Sequence, residues 1–127
     1  MGTNKTDVPT SEEFTSTLGK ASWLLAQSAL HKNMPVSWIE PNIMAPLMFK
    51  QLRVFTRGNQ PLAFLTWGYV SFAVSERLKH PDYQIALTDW RSGPDVAVVE
   101  CVSPFVDGEQ FKINFLKEVE QAKAARI

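Results

Sequence analysis

Two residues of this chain could carry acid–base chemistry, and both occur in unusual surroundings. His31 follows a helical pattern and comes shortly before Pro35, where a helix must break, so its imidazole is expected to be exposed into a cleft rather than deeply buried. Glu100 interrupts an apolar, β-branched run at 96–102, where a carboxylate is costly unless it has a partner. Paired with His31, this carboxylate would fix the imidazole tautomer and stabilise its charged form, as base or nucleophilic catalysis requires.

Each of these residues also has a plainer interpretation. A histidine near a helix end is most often a cap or a solvated side chain, and a carboxylate in a strand often pairs with an arginine or a backbone amide. Strand alternation places the single cysteine, Cys101, on the face opposite Glu100, which makes it a weak candidate nucleophile for His31. His80 precedes a proline and is typical of a turn. Two histidines and one cysteine without ligand spacing predict no metal site.

The composition is that of one ordinary globular domain. Of 127 residues, 45% are hydrophobic, and thirteen basic residues balance thirteen acidic ones, so no overall charge favours nucleic acid. The four tryptophans are expected in the core or in a groove wall, since no basic run accompanies them. We expect no secretory signal and no stable membrane insertion, because the start is polar and no apolar run is long enough to span a bilayer. One cysteine excludes an internal disulfide, so we expect the cytoplasm.

The elements that would position these residues follow from periodicity. We expect a disordered tail at 1–10 and a single domain at 11–127. A helix is predicted to be capped by Thr10 or Ser11, with its regular part beginning near Leu18 because Gly19 weakens the middle of the segment. An apolar stretch follows His31 and is predicted as a second helix divided by prolines, at 36–49.

The rest of the chain predicts a sheet followed by a helix. Alternation in the central strand places Val98, Glu100 and Val102 on one face. The fold class is therefore α+β, with a mainly antiparallel sheet flanked by helices. The predicted elements are a hairpin with strands at 52–57 and 62–71 and a turn at 58–61, a short helix at 75–79, an irregular stretch at 82–95, a strand at 96–102 and a terminal helix at 109–127.

Several blocks of the sequence resemble the RTX toxin-activating lysine acyltransferases, the relatives of the α-haemolysin and adenylate-cyclase toxin activators. The resemblance spans roughly residues 20–118, and separate blocks in the same order are more specific than one short motif. The blocks are SWLL at 22–25 with SALHKNMPV at 28–36, PLAFLTW at 61–67, and DWRSG at 89–93 with VVECVSPF at 98–105.

The resemblance implies a GNAT-like acyltransferase fold and assigns roles to residues. It places the family's catalytic histidine on His31 and its catalytic aspartate on Glu100, and it aligns Ser28 with a serine beside the active histidine. His31 would act as a general base or would itself be acylated first. Ser28, Trp23 and Trp67 are the candidate substrate-binding residues. The two tryptophans could line an acyl groove, to which Trp38, Met44 and Met48 could also contribute. The plainer interpretation of most of these apolar side chains is that they form the core.

The activity implied is transfer of a fatty acyl group to a lysine ε-amine of an RTX protoxin. The donor would be acyl carrier protein rather than coenzyme A, and no cofactor would be bound. The expected partners are therefore acyl carrier protein and the protoxin, with a homodimer left open. The sequence departs from the family where Glu100 stands for aspartate, and where Ala29, Lys32 and Met34 stand for proline, arginine and tryptophan.

Two other functions remain as alternatives. A catalytically weak or inactive family member could act as a protein-binding module. An acetyl-CoA-dependent GNAT acetyltransferase would instead need a glycine-rich loop after the central strand, and the segment at 104–108 offers little of that.

Acyl carrier protein is acidic, so the resemblance also implies a local basic patch on this chain. The plainer interpretation of the basic residues on the terminal helix is a solvated face with i,i+4 pairs. The candidates are Lys32, Arg53, Arg57, Arg77 and Lys79, or Lys112, Lys117, Lys123 and Arg126.

Overall fold

The structure is a computed structural model, and it describes residues 8–125. Most of the predicted tail at 1–10 and the last two residues of the predicted terminal helix lie outside the described residues. Within the described range, the α+β class with a mainly antiparallel sheet is confirmed. The elements are α1 (Ser11–Gln27), α2 (Ala45–Met48), β1 (Leu52–Arg57), β2 (Gln60–Val70), α3 (Phe72–Leu78), β3 (Asp95–Val102) and α4 (Glu109–Ala125).

Helix α1 begins at Ser11 because Thr10 caps it through a reciprocal pair of hydrogen bonds. The Thr10 hydroxyl accepts the Glu13 backbone N–H at 3.0 Å, and the Glu13 carboxylate accepts the Thr10 backbone N–H at 2.8 Å. The predicted cap at Thr10 is confirmed. The predicted start of the regular helix near Leu18 was wrong, because this capping box and the acidic first turn offset the low helix propensity of Gly19.

The proline-containing stretch after His31 is divided as predicted. It forms a 3₁₀ turn at Val36–Trp38, a π-helical turn at Glu40–Met44 and the single α-helical turn of α2. Pro41 and Pro46 each lack a backbone donor, which prevents one continuous helix. Two further elements differ from prediction: α3 starts at Phe72, and a 3₁₀ turn at Leu87–Trp90 interrupts the stretch that was predicted to be irregular.

The described part of the chain contains a three-stranded sheet in the order β1-β2-β3, antiparallel throughout. The predicted hairpin is confirmed, with a shorter connection because β2 begins at Gln60. Gly58 takes a φ of 61° in that turn, a left-handed conformation that glycine adopts without a steric cost.

Helices cover both faces of this sheet. On one face, α1 and the stretch after His31 pack against the strands around a core of Ala21, Leu24, Leu25, Ile43, Leu52, Phe64 and Val102. On the other face, α4 stacks Phe111 on Phe55 and Phe115 on Trp67, each with ring centroids 4.6 Å apart. We call these the α1 face and the α4 face of the sheet.

The turn at 89–93 docks onto the end of β2. The backbone N–H groups of Ser92 and Gly93 both donate to the carbonyl of Tyr69, at 2.7 and 3.1 Å. A Cβ atom on Gly93 would lie 2.5 Å from the backbone of Ser71, so a larger residue cannot fit without moving the turn. The DWRSG block therefore serves the fold through this close approach.

Replacing Gly93 by alanine should lower the free energy of unfolding by about 1–3 kcal/mol, because the added methyl overlaps fixed backbone. The matched control is Gly19→Ala in α1, where an added Cβ meets nothing within 4 Å. That variant should be about 0.5–1 kcal/mol more stable than the parent, because alanine favours helix. Urea unfolding measures both values. Equal stability of the two variants would contradict the docking of this turn.

Candidate active site

His31 is held in a series of tight turns directly after α1. The carbonyl of Ser28 accepts the backbone N–H groups of His31 and Lys32 at 3.0 and 2.8 Å, and the carbonyl of His31 accepts that of Met34 at 3.0 Å. The helix was predicted to break between His31 and Pro35, but it ends earlier, at Gln27, with Ser28 as its C-cap. These turns bring the His31 imidazole back to the side chain of Ser28, which is buried.

Both ring nitrogens of His31 have a hydrogen-bond partner. Nδ1 lies 2.7 Å from Ser28 Oγ, and Nε2 lies 3.1 Å from Oε1 of Glu100, which is 69 positions further along the chain. An ionised carboxylate can only accept, so we assign the ring hydrogen to Nε2 and let Nδ1 accept the Ser28 hydroxyl hydrogen. The structure thus brings together the two residues that were expected to be catalytic, His31 and Glu100, and places Ser28 beside them.

The pair is largely shielded from solvent. The His31 side chain is 10% exposed and that of Glu100 is 28% exposed. The imidazole also packs against the indole of Trp38, with ring centroids 5.9 Å apart. Partial burial strengthens a hydrogen bond between an imidazole and a carboxylate, because less water competes for either group.

Glu100 is directed into the site by an irregularity in the sheet. It pairs with Thr66 of β2, whereas Val98 pairs with the next residue, Trp67, so Val99 is an extra residue on β3. This is a β-bulge. Thr66 and Trp67 are adjacent and point to opposite faces, so Glu100 lies on the α1 face and Val98 on the α4 face. The prediction that Val98 and Glu100 share a face was wrong, because the bulge breaks the alternation.

The imidazole of His31 lines two clefts of different character. The first is about 230 Å³ in volume and mostly polar, and its other lining residues include Ser28, Ser103, Asp107, Glu109 and Lys112. The second is about 150 Å³ and more apolar, and its other lining residues include Leu25, Lys32, Met34, Trp38 and Ile39. His31 is therefore mostly covered, yet it contacts two spaces that could hold different parts of a substrate.

The two tryptophans predicted to bind substrate line neither of these clefts. Trp23 stacks on Phe105, with ring centroids 5.6 Å apart, and Trp67 lies beneath Phe115 of α4. Among the five apolar side chains considered for an acyl groove, Trp38 is the one that lines a cleft together with His31.

Cys101 pairs with Leu65 and lies on the α4 face, opposite Glu100. The prediction that these two neighbours point to opposite faces is confirmed. Its thiol lies 3.6 Å from the carbonyl oxygen of Gly108, and burial raises the pKa of the thiol above its ordinary value. Although Cys101 also lines the first cleft, it is mostly protonated at neutral pH, which makes it a poor nucleophile.

A buried amide that sequence reasoning missed holds β2 beside the bulge. Gln51 is 1% exposed, and its Nε2 donates to the carbonyls of Trp67 and Trp90 at 2.9 and 3.0 Å. Its Oε1 accepts a hydrogen bond from Arg91 Nε at 3.0 Å. Every polar group of the amide therefore serves to tie the turn at 89–93 to β2. A single glutamine between an apolar stretch and a strand gives no distinct signal in one sequence.

Residues 8–125 contain neither a metal-binding cluster nor a membrane-spanning helix. No group of three or more histidine, cysteine, aspartate or glutamate side chains is placed to hold a metal ion there. Over the same range, every helix is too short or too polar to cross a bilayer.

An imidazole held between a hydroxyl and a carboxylate, beside two clefts, is an arrangement that can accept and donate protons. Comparison with known proteins gives the family. Residues 10–127 match the sequence model described as "HlyC: RTX toxin acyltransferase family". The chain belongs to this family, and the resemblance found in the sequence blocks is confirmed.

Three curated relatives show how much of the chain is shared. The protein-lysine myristoyltransferase HlyC of Escherichia coli is 32% identical over 90 residues, 71% of this chain and 52% of the relative. The protein-lysine myristoyltransferase RtxC of Kingella kingae is 27% identical over 92 residues, 72% of this chain and 55% of the relative. The RTX-III toxin-activating lysine-acyltransferase ApxIIC of Actinobacillus pleuropneumoniae is 29% identical over 96 residues, 76% of this chain and 55% of the relative. The chain thus spans about half the length of these relatives.

The Cys101 thiol should react with iodoacetamide more slowly at pH 7 than the same cysteine in the urea-unfolded chain. Its raised pKa leaves less thiolate, and the thiolate is the reactive form. Mass spectrometry of the alkylated protein across a pH series gives the midpoint, which should lie above that of the unfolded control. A midpoint at or below the control value would make Cys101 an activated thiol and would return it to the list of candidate nucleophiles.

Proposed function

We propose that this chain acts in the cytoplasm as a toxin-activating protein-lysine acyltransferase, moving a fatty acyl group from acyl carrier protein to a lysine ε-amine of an RTX protoxin. The observation that carries the proposal is the imidazole of His31, held between Ser28 Oγ and Glu100 Oε1. Family membership supports it, as do the relatives' names, which describe lysine acyltransferases and, for one of them, toxin activation. We also propose that the sheet between α1 and α4 is part of a GNAT-like fold.

The reaction needs a base because the amine nitrogen of lysine must lose a proton as it bonds to the thioester carbon. Imidazole is the side chain whose ordinary pKa lies closest to neutrality, which suits this task. With the ring hydrogen on Nε2, the basic nitrogen of His31 is Nδ1. Ser28 lines the polar cleft, so its hydroxyl can take a proton from a bound amine while giving its own to Nδ1. Glu100 stabilises the imidazolium that results.

The bond changes then balance without a cofactor. The free amine of lysine forms a C–N bond with the thioester carbonyl carbon, and the C–S bond breaks. The amine proton passes to His31, and the departing thiolate takes a proton from the imidazolium. The products are an amide and the free thiol of the carrier. A route through an acylated His31 would require the Ser28 hydroxyl to leave Nδ1 first, so the observed hydrogen bond favours the base route.

The second cleft is the better place for the acyl chain, since Leu25, Met34, Trp38 and Ile39 make its wall mostly apolar. Lys32 lines the same cleft and is exposed, which makes it the candidate for contact with an acidic carrier protein. Several other cations proposed for that contact already have carboxylate partners: Arg53 with Glu118, Lys79 with Glu76 and Lys112 with Glu109. Arg126, on the rival patch, lies outside the described residues.

Replacing His31 by alanine should lower the rate of acyl transfer by about 100- to 10,000-fold, the usual contribution of a general base. The assay uses acyl carrier protein loaded with a labelled fatty acid and a lysine-bearing protoxin segment. The matched control is His80→Ala, which removes the other histidine at an exposed turn and should keep the parent rate. An equal loss of acyl-transfer rate in both variants would mean that replacing His31 lowers the rate by disturbing the fold and not by removing a base.

The same assay separates the alternative functions. Binding of the acyl carrier protein without transfer by the parent would support a binding module and would end the enzyme proposal. Transfer from acetyl-CoA but not from the loaded carrier would support an acetyl-CoA-dependent acetyltransferase instead.

Reversing the charge of Lys32 with Lys32→Glu should raise the KM for the loaded carrier about fivefold at low salt, with kcat nearly unchanged, because one surface charge contact is lost. The difference should shrink as salt is added. Lys123→Glu makes the same change on the exposed side of α4 and should leave KM unchanged. The opposite outcome for these two variants would place the carrier on α4.

A further inference from the structure

We propose that Thr66 is a positioning residue for this site, because its hydroxyl holds the β-bulge that directs the Glu100 carboxylate toward His31. The kinetic part of this inference rests on the proposed acyl transfer. Its structural part concerns only the contact between His31 and Glu100, and it can be tested without any activity.

Thr66 is fully buried in β2, and its hydroxyl oxygen accepts the backbone N–H of Glu100 at 3.1 Å. In a regular antiparallel ladder, backbone N–H groups at alternate positions bond to carbonyls of the neighbouring strand. A bulge disrupts the ladder at this point, and a backbone donor left without a partner in a shielded place is unfavourable. The side chain of Thr66 thus ties the Glu100 backbone to β2 at the point where the register shifts.

The bulge decides which face of the sheet receives the carboxylate. On the N-terminal side of the bulge in β3, the residue pairs run from Asp95 with Val70 to Val98 with Trp67. If that register continued without the extra residue, Glu100 would pair with Leu65 instead of Thr66. A shift of one residue sends every later side chain to the other face. The carboxylate would then point toward α4, and His31 would lose its partner.

A valine at position 66 has nearly the same shape as threonine but cannot accept this hydrogen bond. We expect Thr66→Val to lower the rate of acyl transfer by about 10- to 100-fold, as small displacements of a catalytic group do. Thr66→Ser keeps the hydroxyl and should stay within about threefold of the parent by the same reasoning. The matched control is Thr56→Val, an exposed position beside the other irregularity of the sheet, between β1 and β2, and it should keep the parent rate.

A double-mutant cycle with Glu100→Gln distinguishes positioning from general destabilisation. If Thr66 acts through the carboxylate, Thr66→Val should cause little further loss in the Glu100→Gln background. A loss as large there as in the parent would overturn the inference. Should Thr66→Val fail to fold by circular dichroism, Thr66→Ala provides a second variant without the hydroxyl.

NMR provides the readout that does not depend on activity. The Nε2–H proton of His31 should give a slowly exchanging resonance in the parent and in Thr66→Ser, because Glu100 accepts it. Thr66→Val should lose that resonance. Its persistence in Thr66→Val would overturn the inference even if the rate fell. A parent that shows this resonance but transfers no acyl group would refute the proposed function and leave the positioning role standing.

Discussion

The hydrogen bond between His31 and Glu100 is the contact on which the site depends, and it links two parts of the chain that are far apart in sequence. It can form only because α1 packs on the sheet face that carries the carboxylate, around Leu24, Phe64 and Val102. The dependence is mutual. A partly buried carboxylate is costly without a donor, and the imidazole needs that carboxylate to fix the hydrogen on Nε2. Packing and chemistry are therefore coupled through one contact.

Features with a local cause could be predicted from the sequence, and features set across strands could not. The cap at Thr10, the breaks at prolines and the β1–β2 hairpin each follow from a few neighbouring residues. The pairing of His31 with Glu100 was within reach because a carboxylate in an apolar strand needs a partner. The bulge could not be predicted, because the register depends on two strands together and leaves no periodic pattern in either sequence. The same limit applies to Trp67, whose residue type suits a groove wall but whose strand position places it under α4.

A glutamate at position 100, where the family resemblance leads one to expect an aspartate, changes what the backbone must provide. The longer side chain has one more rotatable bond, so its carboxylate can occupy more positions for a given backbone. The Glu100 side chain is 28% exposed, which leaves its carboxylate room to move away from the ring. A fixed strand compensates for this freedom, and the Thr66 hydroxyl bonded to the Glu100 N–H gives such a constraint.

Two of the sequence blocks that carry the family resemblance act on the same short stretch of β2. The PLAFLTW block is part of that strand and contains Thr66 itself. The DWRSG block docks at the end of the strand through hydrogen bonds to the Tyr69 carbonyl. Its Arg91 donates a hydrogen bond to the side chain of Gln51, whose amide in turn donates to the carbonyl of Trp67. Neither block touches His31 through these contacts. Both restrain the backbone on either side of the bulge, so their effect on the reaction would pass through the direction of one carboxylate. The SALH and VVECVSPF blocks are the ones that bring side chains of their own to the site, Ser28 and His31 from the first and Glu100 from the second.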